Sequence, residues 1–300
     1  MSILLTGGLG YISSNTIDSF LTFDNKLLYN EIVIIDNLSN SELAVVDKLK
    51  TLHPNLSLKV CTYDCRDTPN LRNVFNENNI KTIIHFAALK SVGESVQNPL
   101  SYYDNNLNSL LNILKIIEEN EKPINFIFSS SATVYGESAS PLYEDSEIGK
   151  GITNPYGQTK YMGECILKDF AKAHSYFKCV ILRYFNPVGG HPSGLLNENG
   201  VGIPNNLMPY INRVAKGIYP QLTIFGDDYQ TNDGTCERDF IHVTDLGNAH
   251  YRAYIYLLEN NSSVSNYNVF NIGTGNATSV LELVNTFEKI GRAHVWTPVT

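Results

Sequence analysis

Short apolar runs alternate with longer stretches of mixed polar and apolar residues over the first two thirds of the chain. The runs fall at residues 3–5, 31–35, 56–61, 82–86, 125–129 and 179–184, and the stretches between them have helical length. This strand, helix, strand rhythm predicts an α/β fold with a doubly wound parallel sheet covered on both faces. Ligands of such sheets bind beyond the carboxyl ends of the strands. Gly7, Gly10, Asp36, Asp64, residues 86–90 and residues 129–131 all lie at such ends. From about residue 186 the rhythm gives way to segments rich in Pro and Gly, such as 186–194 and 202–209. These predict a smaller, loop-rich C-terminal lobe. The expected division is 1–182 for the first domain and 183–289 for the lobe, with part of 236–259 returning to the first domain.

Composition narrows the class. The 300 residues are 43% apolar and 17% charged, enough for one large core or two, and the formal net charge is −8. That balance gives no electrostatic reason to expect nucleic acid or an anionic membrane as partner. The first strand begins almost at Met1, no apolar run approaches about eighteen residues, and five cysteines occur without a CxxC pair. A soluble, cytoplasmic protein with reduced thiols is expected, Cys61 and Cys65 filling strand and loop. Seven histidines show no metal-ligand spacing, so no metal is expected.

The candidate chemistry starts in the first turn. Residues 3–5 lead into Thr6, Gly7, Gly8, Leu9, Gly10, Tyr11, Ile12 and Ser13, a strand followed by a glycine-rich turn and a helix-like stretch. Such a turn brings backbone N–H groups to a pyrophosphate at the positive end of the helix. The second run ends in Asp36, whose carboxylate suits the two hydroxyls of an adenosine ribose and repels a 2′-phosphate, which favours NAD over NADP. Farther on, Tyr156 and Lys160 are four residues apart, one helical turn, so the ammonium can sit beside the phenol and favour its ionised form. With 18 tyrosines, roughly one such spacing arises by chance. The pair gains its weight from the glycine turn, Asp36 and Ser131.

Many segments in one order carry a resemblance. TGGLGYI, HFAALKSVGESVQNPLSYYDNN, FSSSATVYG, NPYGQTK, LRYFNPVG, HPSG, GIPNNLMPY, IFGDDY and RDFIHVTDL are similar to segments of the UDP-galactose (UDP-glucose) 4-epimerase family, extended short-chain dehydrogenase/reductases. The similarity runs from about residue 3 to residue 289. It implies a Rossmann domain with a substrate-binding lobe, bound NAD, a UDP-sugar substrate and a homodimer. It implies that Tyr156, Lys160 and Ser131 act at the sugar 4-hydroxyl. Gly7, Gly10, Tyr11, Ile12, Asp36, Asn37, Asp64, Phe86, Ala87, Lys90 and Asn105, with Tyr156 and Lys160, would hold the cofactor. Asn186, Asn206, Leu207, Phe225 and Arg238, with Ser131 and Tyr156, would contact the UDP-sugar; a guanidinium fork suits a diphosphate.

The implied reaction oxidises the sugar at C4 and reduces it from the other face. A free phenol titrates near 10, and lowering that by roughly three units needs about 4 kcal/mol of preferential phenolate stabilisation. Lys160 and the cationic nicotinamide are the expected sources. A 4,6-dehydratase of the same lineage would need an acid pair where Ala132 and Thr133 stand. An NAD-dependent sugar-nucleotide dehydrogenase and a truncated, catalytically incomplete NAD-binding protein stay open as alternatives. Leu107, Leu110, Leu111, Leu114 and Ile117 form a helical apolar stripe that fits either a core or the dimer. Two departures from the family stand out. Ser13 replaces the third glycine of the turn, so weaker helix packing is expected there. Residues 290–300, which include the single tryptophan Trp296, read as a non-native tail, with the family's remaining C-terminal segment, and any fused mutarotase domain, lying outside the chain.

Overall fold

The computed structural model describes residues 2–23, 31–198, 204, 206–259 and 265–290. Trp296 and the rest of 291–300, expected as a tail, lie outside them. Along the chain run β1 (Ser2–Thr6), α1 (Tyr11–Phe23), β2 (Glu31–Ile35), α2 (Ala44–Leu52), β3 (Leu58–Cys61), α3 (Thr68–Glu77) and β4 (Ile80–His85). Then come α4 (Val92–Gln97), α5 (Pro99–Asn120), β5 (Ile124–Ser131), a 3-10 turn (Ala132–Tyr135), α6 (Pro155–Ala173) and β6 (Phe177–Tyr184). The remaining elements are β7 (Asn186–Val188), α7 (Leu207–Ala215), β8 (Glu237–His242), α8 (Val243–Glu259), β9 (Tyr267–Ile272), β10 (Ala277–Ser279) and α9 (Val280–Lys289).

Seven parallel strands form the main sheet in the order β3-β2-β1-β4-β5-β6-β9. The order reverses between β1 and β4, so the chain leaves the sheet in opposite directions there and opens a crevice beyond the strand ends. Both faces of the sheet are covered, which is why its strands read as unbroken apolar runs. One face packs Leu4, Val33 and Phe126 under α3, α5 and α6. The other packs Ile3, Leu5, Ile34 and Ile127 under α1, α2 and α8.

The strand limits move slightly from the sequence expectation. β3 starts at Leu58, because the amide of Leu56 closes a turn on the carbonyl of His53. β4 starts at Ile80, where Ser2 of β1 already pairs with it. β9 had no counterpart among the predicted runs: Asn268 and Asn271 interrupt its apolar residues, and it sits at the sheet edge beside β6. The return to the main sheet therefore includes 267–272 as well as α8, which packs on α1. That contact needs Gly247, since a Cβ there would lie 2.8 Å from the Asn15 carbonyl oxygen.

A three-stranded sheet, β10-β8-β7, and a small core of Ile211, Val214, Leu222 and Val284 build the second lobe. Of the apolar stripe on α5, Leu110, Leu114 and Ile117 are buried in the core, while Leu107 and Leu111 are half-buried.

Candidate active site

At the reversal point Gly7 adopts φ 65°, and a Cβ there would lie 2.9 Å from the amide nitrogen of Ala87. Only glycine lets the turn leave β1 this close to β4. The first N–H groups of α1, from Tyr11, Ile12 and Ser13, have no intrahelical acceptor and open on the same pocket. Asp36 ends β2 and joins the two strand ends: one carboxylate oxygen accepts from the Leu9 amide at 3.0 Å, the other from the Leu38 amide at 3.0 Å and the Ser41 hydroxyl at 2.6 Å. Leu38 takes φ 58°, a left-handed conformation costly for a branched side chain and held here by that bond.

Asp64, beyond β3, is held by the Arg66 guanidinium and by Asn37, and these bonds push its carboxyl well below the usual range. Phe86 and Ala87 continue β4, and Lys90 follows them. Asn105 stands on α5 beside Asn106, whose amide bonds both backbone groups of Leu89 and the Thr159 hydroxyl and so ties the loop after β4 to α5 and α6. Gly7, Gly10, Tyr11, Ile12, Asp36, Asn37, Asp64, Phe86, Ala87, Lys90, Asn105, Tyr156 and Lys160 all line this one pocket. A glycine cradle, free helix-terminal N–H groups and two carboxylates at successive strand ends fit a dinucleotide.

Asn154 caps α6, accepting from the Gly157 amide at 2.8 Å, and sets the direction in which Tyr156 and Lys160 enter the pocket. Lys160 is 4% exposed; its Nζ donates to the Ser129 carbonyl at 2.6 Å and lies 5.1 Å from the Phe128 ring centroid. Burial lowers its ammonium to about 7, opposed by the Glu164 carboxylate. The same Nζ lies 5.9 Å from the Tyr156 ring centroid. Burial raises the Tyr156 phenol, and a hydrogen bond with Ser131 works against that rise. Lys160 thus stands beside the phenol with its ammonium anchored on the Ser129 carbonyl, and burial works against charge on both groups. His85, under the same pocket, bonds Thr6 at 2.7 Å and is pushed down to about 3 by burial and by Lys160.

The residues expected at the UDP-sugar are more dispersed. Asn186 opens β7 and donates to the Asp239 carbonyl at 3.1 Å. Arg238 lies exposed on β8, Asn206 and Leu207 start α7, and Phe225 is 82% exposed in the loop before β8. None of these five lines the pocket of the glycine turn. Asn206 reaches it through Glu198, whose Oε1 accepts from Asn206 at 2.6 Å and from Lys90 at 2.9 Å. Tyr11 makes a second tie, its hydroxyl donating to the Gly189 carbonyl at 2.7 Å. Glu198, in a Gly- and Pro-rich loop, carried no sequence signal. Glu164 did: it follows Lys160 by four residues and Tyr156 by eight, on one helical face. Among the described residues no cluster of His, Cys, Asp and Glu could hold a metal ion, and no helix is long and apolar enough to cross a membrane.

A profile of the NAD dependent epimerase/dehydratase family matches residues 3–273. UDP-glucose 4-epimerase of Pasteurella multocida is 47% identical over 293 residues, 97% of this chain and 82% of that protein. The crystal structure of UDP-glucose 4-epimerase from Bifidobacterium longum, in complex with NAD+ and UDP, superposes with a TM-score of 0.89 at 41% identity, covering all of this chain and 86% of that one. That of the Stenotrophomonas maltophila enzyme, with NAD and formylated UDP-arabinopyranose, superposes with a TM-score of 0.90 at 38% identity and the same coverage. With its doubly wound sheet and a pocket shaped for a dinucleotide, this chain belongs to the NAD dependent epimerase/dehydratase family.

Proposed function

We propose that the chain interconverts UDP-galactose and UDP-glucose, as its relatives' names imply, with NAD retained in the pocket of the glycine turn. The observation that carries this reading is that Tyr156 and Lys160 open into the same pocket as the glycine turn and Asp36, with Ser131 bonded to the phenol. NAD bound there supplies the hydride acceptor and donor at the sugar C4. Gly7, Gly10, Tyr11 and Ile12 hold its pyrophosphate; Asp36, Asn37 and Asp64 its adenosine; Phe86, Ala87, Lys90 and Asn105 the remainder.

Tyr156, as phenolate, takes the proton of the 4-hydroxyl, directly or through Ser131, and returns it after the 4-keto sugar has presented its other face. Lys160 offsets the phenolate charge. Burial raises the phenol while its hydrogen bond with Ser131 lowers it, and the positive charge of bound cofactor would add to Lys160 in favouring the phenolate. Asn186, Asn206, Leu207, Phe225 and Arg238 hold the uridine diphosphate from the second lobe, and Arg238, exposed and engaged only with the Glu237 carbonyl among the described residues, has donors left for a diphosphate.

Residues 1–182 serve the cofactor and 183–289 the sugar nucleotide, with α8 (Val243–Glu259) and β9 returned to the first part. A cytoplasmic address is supported by five free thiols. A homodimer is supported by Val92, Val96, Leu100 and Met162, exposed apolar residues on α4, α5 and α6. The purified chain, given UDP-galactose and no added NAD, should form UDP-glucose. Formation of NADH in step with consumed sugar, or bound NAD without turnover, would refute the epimerase assignment.

A further inference from the structure

Beneath Lys160 lies an ion pair that the proton transfer itself does not use. Glu164 and Arg183 are 1% and 3% exposed, and Arg183 grips the carboxylate through Nη2 at 2.8 Å and Nε at 3.1 Å. Ser130 donates to the same carboxylate at 2.5 Å. Arg183 is in turn fixed by the Tyr135 hydroxyl at 2.9 Å and the Glu144 carbonyl at 3.0 Å, and Tyr135 donates to Asn271 of β9 at 2.6 Å. Ser129, Ser130 and Ser131 are consecutive on β5, and each serves a different part of this arrangement: Ser129 accepts from Lys160, Ser130 donates to Glu164, and Ser131 bonds Tyr156. Along α6, Tyr156, Lys160 and Glu164 follow at intervals of four, so phenol, ammonium and carboxylate lie in one row.

We propose that Glu164 is a positioning residue for catalysis: locked by Arg183 and Ser130, it is the counter-charge that keeps Lys160 protonated beside Tyr156. The inference rests on the roles proposed above for Tyr156 and Lys160. Among the described residues, the other elements supply no competing anion at Lys160. β4 brings His85, held neutral; β6 brings Tyr184, its phenol pushed up by burial, and Arg183, committed to Glu164; β9 brings Tyr267, also pushed up, to Glu164 rather than to Lys160; α5 brings the neutral Asn106 to Thr159. In the NAD-loaded site, where the cofactor's positive charge would favour the phenolate, losing the Glu164 charge shifts the state that has lost one proton from ammonium with phenolate toward amine with phenol, which has no base.

The test is the pH dependence of kcat for Glu164→Gln in the NAD-loaded chain. The expected result is a fall in kcat of about tenfold and a displacement of the alkaline limb by about one pH unit toward lower pH, with KM and NAD content close to the parent's. Glu164→Asp, which keeps the charge, should keep the parent's alkaline limb. If the unpaired guanidinium stops Glu164→Gln from folding, Glu164→Gln/Arg183→Met removes both charges and should displace the limb the same way but by less, because the cation that also opposes the Lys160 ammonium is gone. A parental limb in whichever of these folds, or loss of activity together with NAD, overturns the proposal. Tyr156→Phe separates the two levels: if it remains as active as the parent, the proton-transfer assignment itself is wrong; if it is inactive while the limb stays in place, only the role of Glu164 is.

Discussion

Burial acts against charge on both members of the Tyr156 and Lys160 pair, the lysine almost wholly buried and the tyrosine half-buried. Lys160 is lowered to about 7 from an unfolded value near 10.4. A base depressed in this way costs stability where it is charged in both states, below about pH 7, and the cost fades as pH rises toward 10. Lys160→Met should therefore abolish turnover while raising stability by about 2 kcal/mol at pH 7, and that advantage should shrink in unfolding measurements at pH 9.5. Ser13 shows the same tension on a smaller scale. It is 1% exposed and its hydroxyl has no partner among the described residues, whereas Ser14, Asn15 and Thr16 each donate to a carbonyl of α1. Ser13→Ala removes that unpaired group and should raise thermal stability by about 1 kcal/mol.

Among the elements, α1 has two tasks that meet in its packing. Its first turn faces the pocket, and its far side rests on α8 through Gly247. Phe20 sets its ring 5.6 Å from that of Tyr251 and 5.3 Å from that of Tyr254, which fixes the separation of the two helices. A methyl at 247 would meet backbone of Asn15, which cannot yield by a rotamer change. Gly247→Ala should cost about 1–3 kcal/mol in denaturant unfolding and, by tilting α1, loosen NAD, read as cofactor lost on gel filtration. The seam between the lobes depends on single side chains instead: Tyr11 to Gly189, Glu198 to Lys90, and Asp18, itself bonded within the first lobe to His53 at 2.8 Å, accepting from His191 at 3.1 Å when that ring carries the proton.

At the scale of the whole molecule, two histidines among the described residues are buried and lowered, His85 to about 3 and His250 to about 4, the latter between the Tyr184 hydroxyl and the Leu246 carbonyl. Both are lowered, so the unfolded chain binds their protons first. Stability should fall as pH drops below about 6.5, by up to about 1.4 kcal/mol per pH unit for each ring, until the folded values are reached. Equilibrium unfolding at pH 7 and pH 5 measures this, and an unchanged midpoint would contradict it. Much of the architecture was legible in the chain because its causes are local or periodic. Strands buried on both faces must be apolar throughout, a turn with positive φ must be glycine, and a row on one helical face must recur at four. Hence β1, β2, β4, β5 and β6, the turn at Gly7 and the place of Tyr156 and Lys160 on one helical face could be read before any coordinates. Non-local partners could not. Asn268 and Asn271 mask β9 because an edge strand tolerates polar residues, Glu198 finds Lys90 only across more than a hundred residues of chain, and the burial of Lys160 on the Ser129 carbonyl comes only from the packing of α6 on β5. Spacing limits which groups are able to meet; the dielectric around them and the acceptor each one finds come from the packed chain as a whole.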